Sequence, residues 1–200
     1  MCNVIIIGAG GHAKVIADIV IKNGDTLLGF LDDRKTGKVL GDFSVIGTVS
    51  SAEQFADVKF LIGIGDNSVR KRIAETLQVP WYTAIHPSAQ IGLSVRIGEG
   101  TCVMAGAVIN SDTQVGKHCI VNSAAVVEHD NSLADYVHVS PNATLCGTVS
   151  VGECTHIGAA VCVKNNVRIC ADVVLGIGAC AVKDIAVPGV YVGIPAHKLK

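Results

Sequence analysis

The chain has 200 residues, half of them hydrophobic and 16% charged, which excludes an extended disordered polypeptide and supplies core for one large domain or two small ones. Sixteen basic and 17 acidic residues leave a formal charge of −1, so neither a nucleic-acid backbone nor an anionic membrane is the expected partner, and a compact ligand fits better. The opening Met-Cys-Asn-Val-Ile-Ile-Ile-Gly lacks the basic and long apolar regions of a signal peptide, and no run of about 18 apolar residues follows, which predicts a cytoplasmic protein.

Residues 1–84 read as alternating strands and helices. The apolar run Val4 to Ile7 ends in Gly8-Ala9-Gly10-Gly11, and Ala13, Ile16, Ala17 and Val20 then follow at helical spacing. A second strand, Leu27 to Leu31, ends at Asp32-Asp33. A third, Lys59 to Ile64, ends at Gly65-Asp66-Asn67 ahead of a helical run from Val69 to Leu77. The pattern predicts a small Rossmann-like α/β domain with a parallel sheet and a ligand crevice at the carboxyl ends of its strands. Gly8-x-Gly10-x-x-Ala13 followed by Asp32 formally satisfies a dinucleotide fingerprint. A domain of this length offers only one mononucleotide half, however, and no second glycine-rich turn follows. Gly10, Gly11 and the helix N-terminus are better suited to phosphate or sugar oxygens, with His12 beside them.

From Ile85 the period changes to six. Ile85, Ile91, Ile97, Val103, Ile109, Val115, Val121, Val127, Leu133, Val139, Leu145, Val151, Ile157, Val163, Ile169 and Leu175 are all aliphatic. Ile, Val and Leu make up less than half of the segment, so chance does not produce such a run, and no helical period keeps a strict six on one face. Glycine often follows the aliphatic (residues 92, 98, 116, 152, 158, 176), and the fourth residue after it is often small. A triangular coil of three short strands per turn meets this pattern, with one aliphatic inward per side and glycine or a small residue at the corners. At eighteen residues per turn the stretch makes about five coils, stacked at roughly 4.8 Å into a prism about 25 Å long. Seven of the eight cysteines lie in this repeat and none forms a C-x-x-C pair, so reduced, buried thiols are expected.

The hexad pattern resembles the left-handed parallel β-helix of hexapeptide-repeat acyltransferases. With Gly-Ala-Gly-Gly-His at its N-terminus, the chain resembles over nearly all its length the bacillosamine-pathway and perosamine-type N-acetyltransferases and the related sialic acid O-acetyltransferases. The resemblance implies two domains, 1–84 for nucleotide-sugar binding and 85–200 for the acetyltransferase β-helix with its tail. It also implies acetyl-CoA as co-substrate and a homotrimer with active sites between subunits.

Transfer of acetyl from a thioester to an amine needs a base near neutral pH, and an oriented imidazole suits the task. His129 lies between two acids in Glu128-His129-Asp130, where a carboxylate on one ring nitrogen would fix the tautomer. The subfamily's Glu-His-acid triplet after Asn-x-x-x-x-x is matched by Asn122 and these residues, which implies His129 as general base, Asp130 as its orienter and Asn122 on the substrate side. His138, in Val137-His138-Val139-Ser140, matches a histidine near the thioester. It lies half a coil from His129, so only a partner subunit could bring the two together. Gly147 matches a glycine whose N–H faces the thioester oxygen. Gly158, Ala159, Gly176, Gly178 and Pro195 match the surface that holds the rest of the cofactor.

In the N-terminal domain, Gly10, Gly11, His12, Asp32, Asp33, Gly65, Asp66 and Arg70 match the nucleotide-sugar contacts. Asp66 stands where relatives often carry Asn and would otherwise cap the helix that follows. Arg70 would offset a phosphate charge, or else belong to a solvated face in Arg70-Lys71-Arg72. His86, His118, His156 and His197 receive no role, and no metal site is expected.

The reading these features favour is N-acetylation of the 4-amino group of a UDP- or dTDP-linked 4-amino-4,6-dideoxy sugar. Two alternatives stand beside it: O-acetylation of a sialic acid, against which Asp130 argues because glycine often follows the histidine there, and a non-catalytic nucleotide-binding trimer.

Overall fold

The computed structural model describes residues 1–199. Four consecutive residues of β1 (Asn3–Ile7), Val4 to Ile7, are fully buried, as a central strand covered on both faces requires. Helix α1 (Gly11–Lys22) buries Ala13, Ile16, Ala17, Ile19 and Val20 against the sheet. Next come β2 (Thr26–Leu31), β3 (Lys38–Leu40), β4 (Phe43–Gly47), β5 (Lys59–Ile62) and α2 (Asn67–Thr76), and the sheet order is β3-β4-β2-β1-β5.

The expected parallel sheet is formed by β4-β2-β1-β5, and β3 adds an antiparallel strand on its edge. This hairpin carries no clear alternation and is only partly buried, so its place comes from docking on β2. Gly29 permits that approach. A Cβ there would lie 2.9 Å from both Ser44 O and Ile46 Cγ2, and its φ of +153° disfavours any side chain.

The second domain is a β-helix of short strands from β6 (Ala84–Ile85) to β22 (Cys180–Ala181), two residues each except Val173–Leu175, repeating every six residues and forming three parallel faces. One face runs through Cys102, Ile120, His138 and His156, the next through Val108, Val126, Thr144 and Cys162, and the third through Gln114, Ser132, Ser150 and Arg168. From Val103 on the hexad aliphatics turn inward: Val103, Ile109, Val121, Val127, Val139, Leu145, Ile157, Val163 and Leu175 are fully buried in one continuous cluster, extended by Ala181, whereas in the first coil Ile85 and Ile97 are partly buried and Ile91 is exposed. The outer side of the first face is itself half covered, since Ala84, Cys102 and Ile120 join the core under α1.

The corners differ from the sequence expectation. The turn residue with positive φ is the third after each aliphatic, and it is mostly not glycine: Asp112, His118, Asp130, Tyr136 and Cys154 all sit between +51° and +61°. The glycines one residue after the aliphatic answer a different need. A Cβ on Gly98 would meet the backbone of Gly116 at 2.6 Å, and one on Gly152 would meet Ala171 N at 2.3 Å, so they exist for coil stacking. The small residues at the fourth position include buried threonines that serve the next coil. Thr101 Oγ1 donates to Gly116 O at 2.8 Å and accepts from Cys119 N at 2.9 Å.

The cysteines are less buried than expected. Cys102 and Cys119 are buried, but Cys162 is exposed and the others are half-buried. Cys162 occupies an outward strand position, and Cys154 a corner.

Candidate active site

His129 and Asp130 form the corner after Val126–Val127. Asp130 takes the left-handed turn conformation, φ +57°, which swings its carboxylate back towards its predecessor. His129 Nδ1 lies 2.7 Å from Asp130 Oδ2. An ionised carboxylate can only accept, so Nδ1 carries the proton and Nε2 is left with a free lone pair. Glu128 is engaged elsewhere, accepting from Asn110 Nδ2 at 2.8 Å. The corner backbone is anchored by Thr148 N donating to His129 O and Asp130 N to Ser111 O. Gly147, one coil on, lies directly against the imidazole: a Cβ there would come within 2.6 Å of His129 Cε1 and 2.7 Å of Nε2. The His129 side chain is 56% exposed.

His138 lies elsewhere, on the face that meets the N-terminal domain. Its Nε2 accepts from Asn122 Nδ2 at 3.1 Å, and its ring stacks on His156 at 4.7 Å between centroids, 3° from parallel. His12 approaches from α1 at 6.3 Å, and Gly65 faces the His138 Cε1 edge. The chain therefore brings His12, Gly65, Asn122 and His138 together, and it places His129 at another edge of the prism. His156, which sequence reasoning passed over, belongs to this junction and is held by Ser140 Oγ at 2.8 Å. Its spacing of 18 from His138 was the available signal.

Burial holds these imidazoles neutral. His138 is pushed down to about 3 by burial and then by His156 and Arg70, His12 to about 4 by burial and Arg70, and His118 to about 4 by burial and Arg70. His156 is lowered by burial first. The unfolded chain takes up protons on His12, His118 and His138 below about pH 6.5, whereas the folded chain does so only near pH 3–4. Their stability is therefore whole above pH 6.5 and is lost as the pH falls through this window. Asp32 and Asp66, with lowered folded values, contribute losses only at still lower pH. The thermal unfolding midpoint should be flat from pH 8 to 7 and drop by about 5–10 °C between pH 6.5 and 4.5. A midpoint unchanged over that range would contradict neutral burial.

The turns of the N-terminal domain are largely self-satisfied. Asp32 accepts from Ala9 N, Arg34 N and Lys35 N at 2.8–2.9 Å, and these bonds outweigh burial to keep its carboxyl below the ordinary range. Asp33 Oδ1 accepts from Val49 N at 2.9 Å. Asp66 caps α2, accepting from Val69 N at 2.9 Å and Ser68 Oγ at 2.7 Å, which is the helix-capping alternative of the sequence reading. Gly10 caps α1, and a Cβ on Gly10 or Gly11 would meet nothing within 4 Å, so the helix N-terminus opens onto free space. A cavity of 360 Å³ there is lined by Lys14, Lys35 and Lys38. A second, of 540 Å³, lies between Asp32, Asp33 and Arg34 on one side and Val69, Arg72 and Ile73 of α2 on the other.

Arg70 neither lines these cavities nor lies on a solvated face. It is 1% exposed and all five of its N–H groups are bonded within the protein, so it has no donor left for the expected phosphate. Arg72, its exposed neighbour on α2, reaches the larger cavity instead, opposite Arg34. The helical spacing around Arg70 does not reveal which of the two faces inward, because α2 docks on a second domain.

Along the β-helix, Gly158 and Gly176 are explained by packing. A Cβ on Gly158 would strike Leu175 O at 2.4 Å, and one on Gly176 would strike Val192 Cγ1 at 2.8 Å. Gly178, φ +70°, and Ala159 lie on the more open side beside Ile177, which is 84% exposed, and Pro195 follows Ile194, also exposed, in the tail. Among the described residues no group of three His, Cys, Asp or Glu side chains could hold a metal ion. Among the described residues no helix is long and apolar enough to cross a membrane.

Comparison with known proteins places this geometry in context. Residues 3–77 match the family model of the PglD N-terminal domain. Over 113 residues the chain is 44% identical to UDP-N-acetylbacillosamine N-acetyltransferase of Bacillus subtilis, a match covering 52% of each protein. It is 39% identical over 101 residues to an uncharacterised mimivirus protein, of which the match covers 21%. The chain thus spans about half the length, or less, of the curated relatives it matches. Among solved structures, the acetyltransferase domain of PglB from Neisseria gonorrhoeae superposes with a TM-score of 0.95 at 36% identity over the whole of both chains. The same domain in complex with acetyl coenzyme A gives 0.94 at 36% identity over 98% of each. PerB from Caulobacter crescentus, in complex with CoA and GDP-perosamine, gives 0.91 at 36% identity over 98% of this chain and 97% of that one.

Proposed function

We propose that this chain, which belongs to the hexapeptide-repeat family of nucleotide-sugar N-acetyltransferases, transfers acetyl from acetyl-CoA to the 4-amino group of a nucleotide-linked 4-amino-4,6-dideoxy sugar. The observation that carries the reading is the His129–Asp130 pair, with Gly147 packed against the ring. As the amine nitrogen bonds to the thioester carbonyl carbon, its proton passes to His129 Nε2 and the imidazolium is stabilised by Asp130. The C–S bond then breaks and the departing CoA thiolate takes that proton, returning the base to its starting state. The Gly147 backbone N–H is the donor assigned to the thioester oxygen.

The sugar nucleotide is assigned to the N-terminal domain. The open N-terminus of α1 with Lys14, Lys35 and Lys38 suits its phosphates, and the larger cavity with Asp33, Arg34 and Arg72 suits the nucleoside. Gly158, Ala159, Gly176, Gly178 and Pro195 are assigned to the pantetheine arm and adenosine. His129 and His138 lie on different edges of the prism, so a site using both requires a second copy, and a cyclic homotrimer with sites between subunits is the assembly proposed. A cytoplasmic location belongs to the same proposal.

The test is to incubate the protein with acetyl-CoA and a panel of UDP-, dTDP- and GDP-linked 4-amino sugars, with free sialic acid alongside, following thiol release. Release with one nucleotide amino sugar supports the reading. Release with sialic acid alone reassigns the protein to O-acetylation, and silence across the panel points to a binding protein.

A further inference from the structure

The docking of the two domains rests on a buried cation that has no acid beside it. Arg70 Nε donates to His118 O at 2.7 Å, Nη1 to Ile64 O and Gly65 O at 3.2 Å each, and Nη2 to Asn67 Oδ1 and Tyr136 O at 2.8 Å each. No carboxylate among the described residues lies within ion-pair distance of it. Burial lowers its pKa to about 10, so it stays charged at neutral pH on carbonyl dipoles alone. Asn67 extends the contact, with Nδ2 donating to Cys154 O at 2.8 Å.

The three β-helix carbonyls form a set. His118, Tyr136 and Cys154 are 18 residues apart, so they are the same corner of three successive coils, each in the left-handed turn conformation. Two residues beyond the second and third of these corners stand His138 and His156. On the other side, the two carbonyls held by Nη1 belong to the turn whose Gly65 faces His138, and His12 reaches the same ring from α1. One guanidinium therefore spans from the sugar-side turn to the coil corner that presents His138. Only a planar group with five donors in fixed directions meets this set; a lysine has three donors on one atom.

We infer that Arg70, seconded by Asn67, is a positioning residue that sets the separation between the Ile64–Gly65 turn and His138, and thereby seats the acceptor sugar. The inference rests on the acetyl-transfer reading for its kinetic form but not for its binding form. In the full-chain enzyme, Arg70→Lys keeps the charge and loses the fork. Its KM and calorimetric Kd for the nucleotide amino sugar should rise by about ten-fold or more, with kcat reduced, since small displacements of a bound reactant are costly. The KM for acetyl-CoA should stay within about two-fold of the parent value. Asn67→Ala, which removes two ties, one to Arg70 Nη2 and one to Cys154 O, and buries no new charge, should move the acceptor constants in the same direction by about three-fold.

Arg70→Lys folded to the same assembly with an unchanged acceptor constant, or both substrates' constants rising together, would overturn the inference. If Arg70→Lys does not fold, an unchanged acceptor constant in Asn67→Ala overturns it. A parent enzyme that binds a nucleotide sugar but transfers no acetyl would refute the acetyl-transfer reading alone, and the calorimetric comparison would still decide the role of Arg70.

Discussion

Replacing His129 by alanine is expected to lower kcat for acetyl transfer by about 10²–10⁴-fold, with the Kd values of both substrates little changed. The imidazole is the one whose Nδ1 proton is committed to a carboxylate and whose Nε2 is open. His138 cannot substitute at neutral pH. Burial and its neighbours hold its proton affinity down at about 3, so it is too weak a base for the task. Asp130→Asn should fall between parent and His129→Ala, because an amide preserves the contact but neither selects the tautomer nor stabilises the imidazolium. Single-turnover measurement of thiol release, with binding followed separately, is the direct check. Unchanged turnover in His129→Ala would remove the assigned base.

Gly147→Ala should come close to that loss through a single methyl group. The added Cβ would lie 2.6 Å from His129 Cε1, 2.7 Å from its Nε2 and 3.3 Å from Asn165 Nδ2, so the ring must move. His129 is an exposed side chain that can swing away cheaply, which means the fold loses little and the base loses its place. The φ of Gly147 is outside the left-handed range, so alanine brings no backbone strain. A fall in kcat of about 10²-fold with a thermal midpoint within a few degrees of the parent is expected. The His129→Ala, Gly147→Ala double variant should be no slower than His129→Ala alone, since both act through one imidazole. An additive loss would mean that the added methyl also displaces the Gly147 N–H from its assigned contact with the thioester oxygen.

These residues and Arg70 differ in how far along the chain their partners lie. His129 and Asp130 are adjacent in the chain, and their hydrogen bond follows from a local corner, so a sequence motif suffices to find it. The role of Arg70 depends on carbonyls at residues 118 and 136, which no pattern within α2 announces. His156 is an intermediate case: its spacing of 18 from His138 puts the two on one face of successive coils, but their burial against the N-terminal domain comes from the junction. Asp66 illustrates the opposite case, since a cap is a contact three residues long and the side chain caps as its position suggests.

By itself, the sequence determined the β-helix, its interior ladder and its register, because an aliphatic at every sixth residue has one way to be buried, repeated coil after coil. It also determined the strand–turn–helix order of β1 and α1 and the pairing of His129 with Asp130, since these are short-range consequences of burial period and chain geometry. The tertiary structure alone decided the edge hairpin of the sheet, the exposure of Cys162, the burial of Arg70 over Arg72, and the gathering of His12, Asn122, His138 and His156. Each of these depends on which surface meets which across the domain junction or between coils. Such contacts join residues far apart in the chain, and a periodic pattern records only that a face is buried, not what buries it.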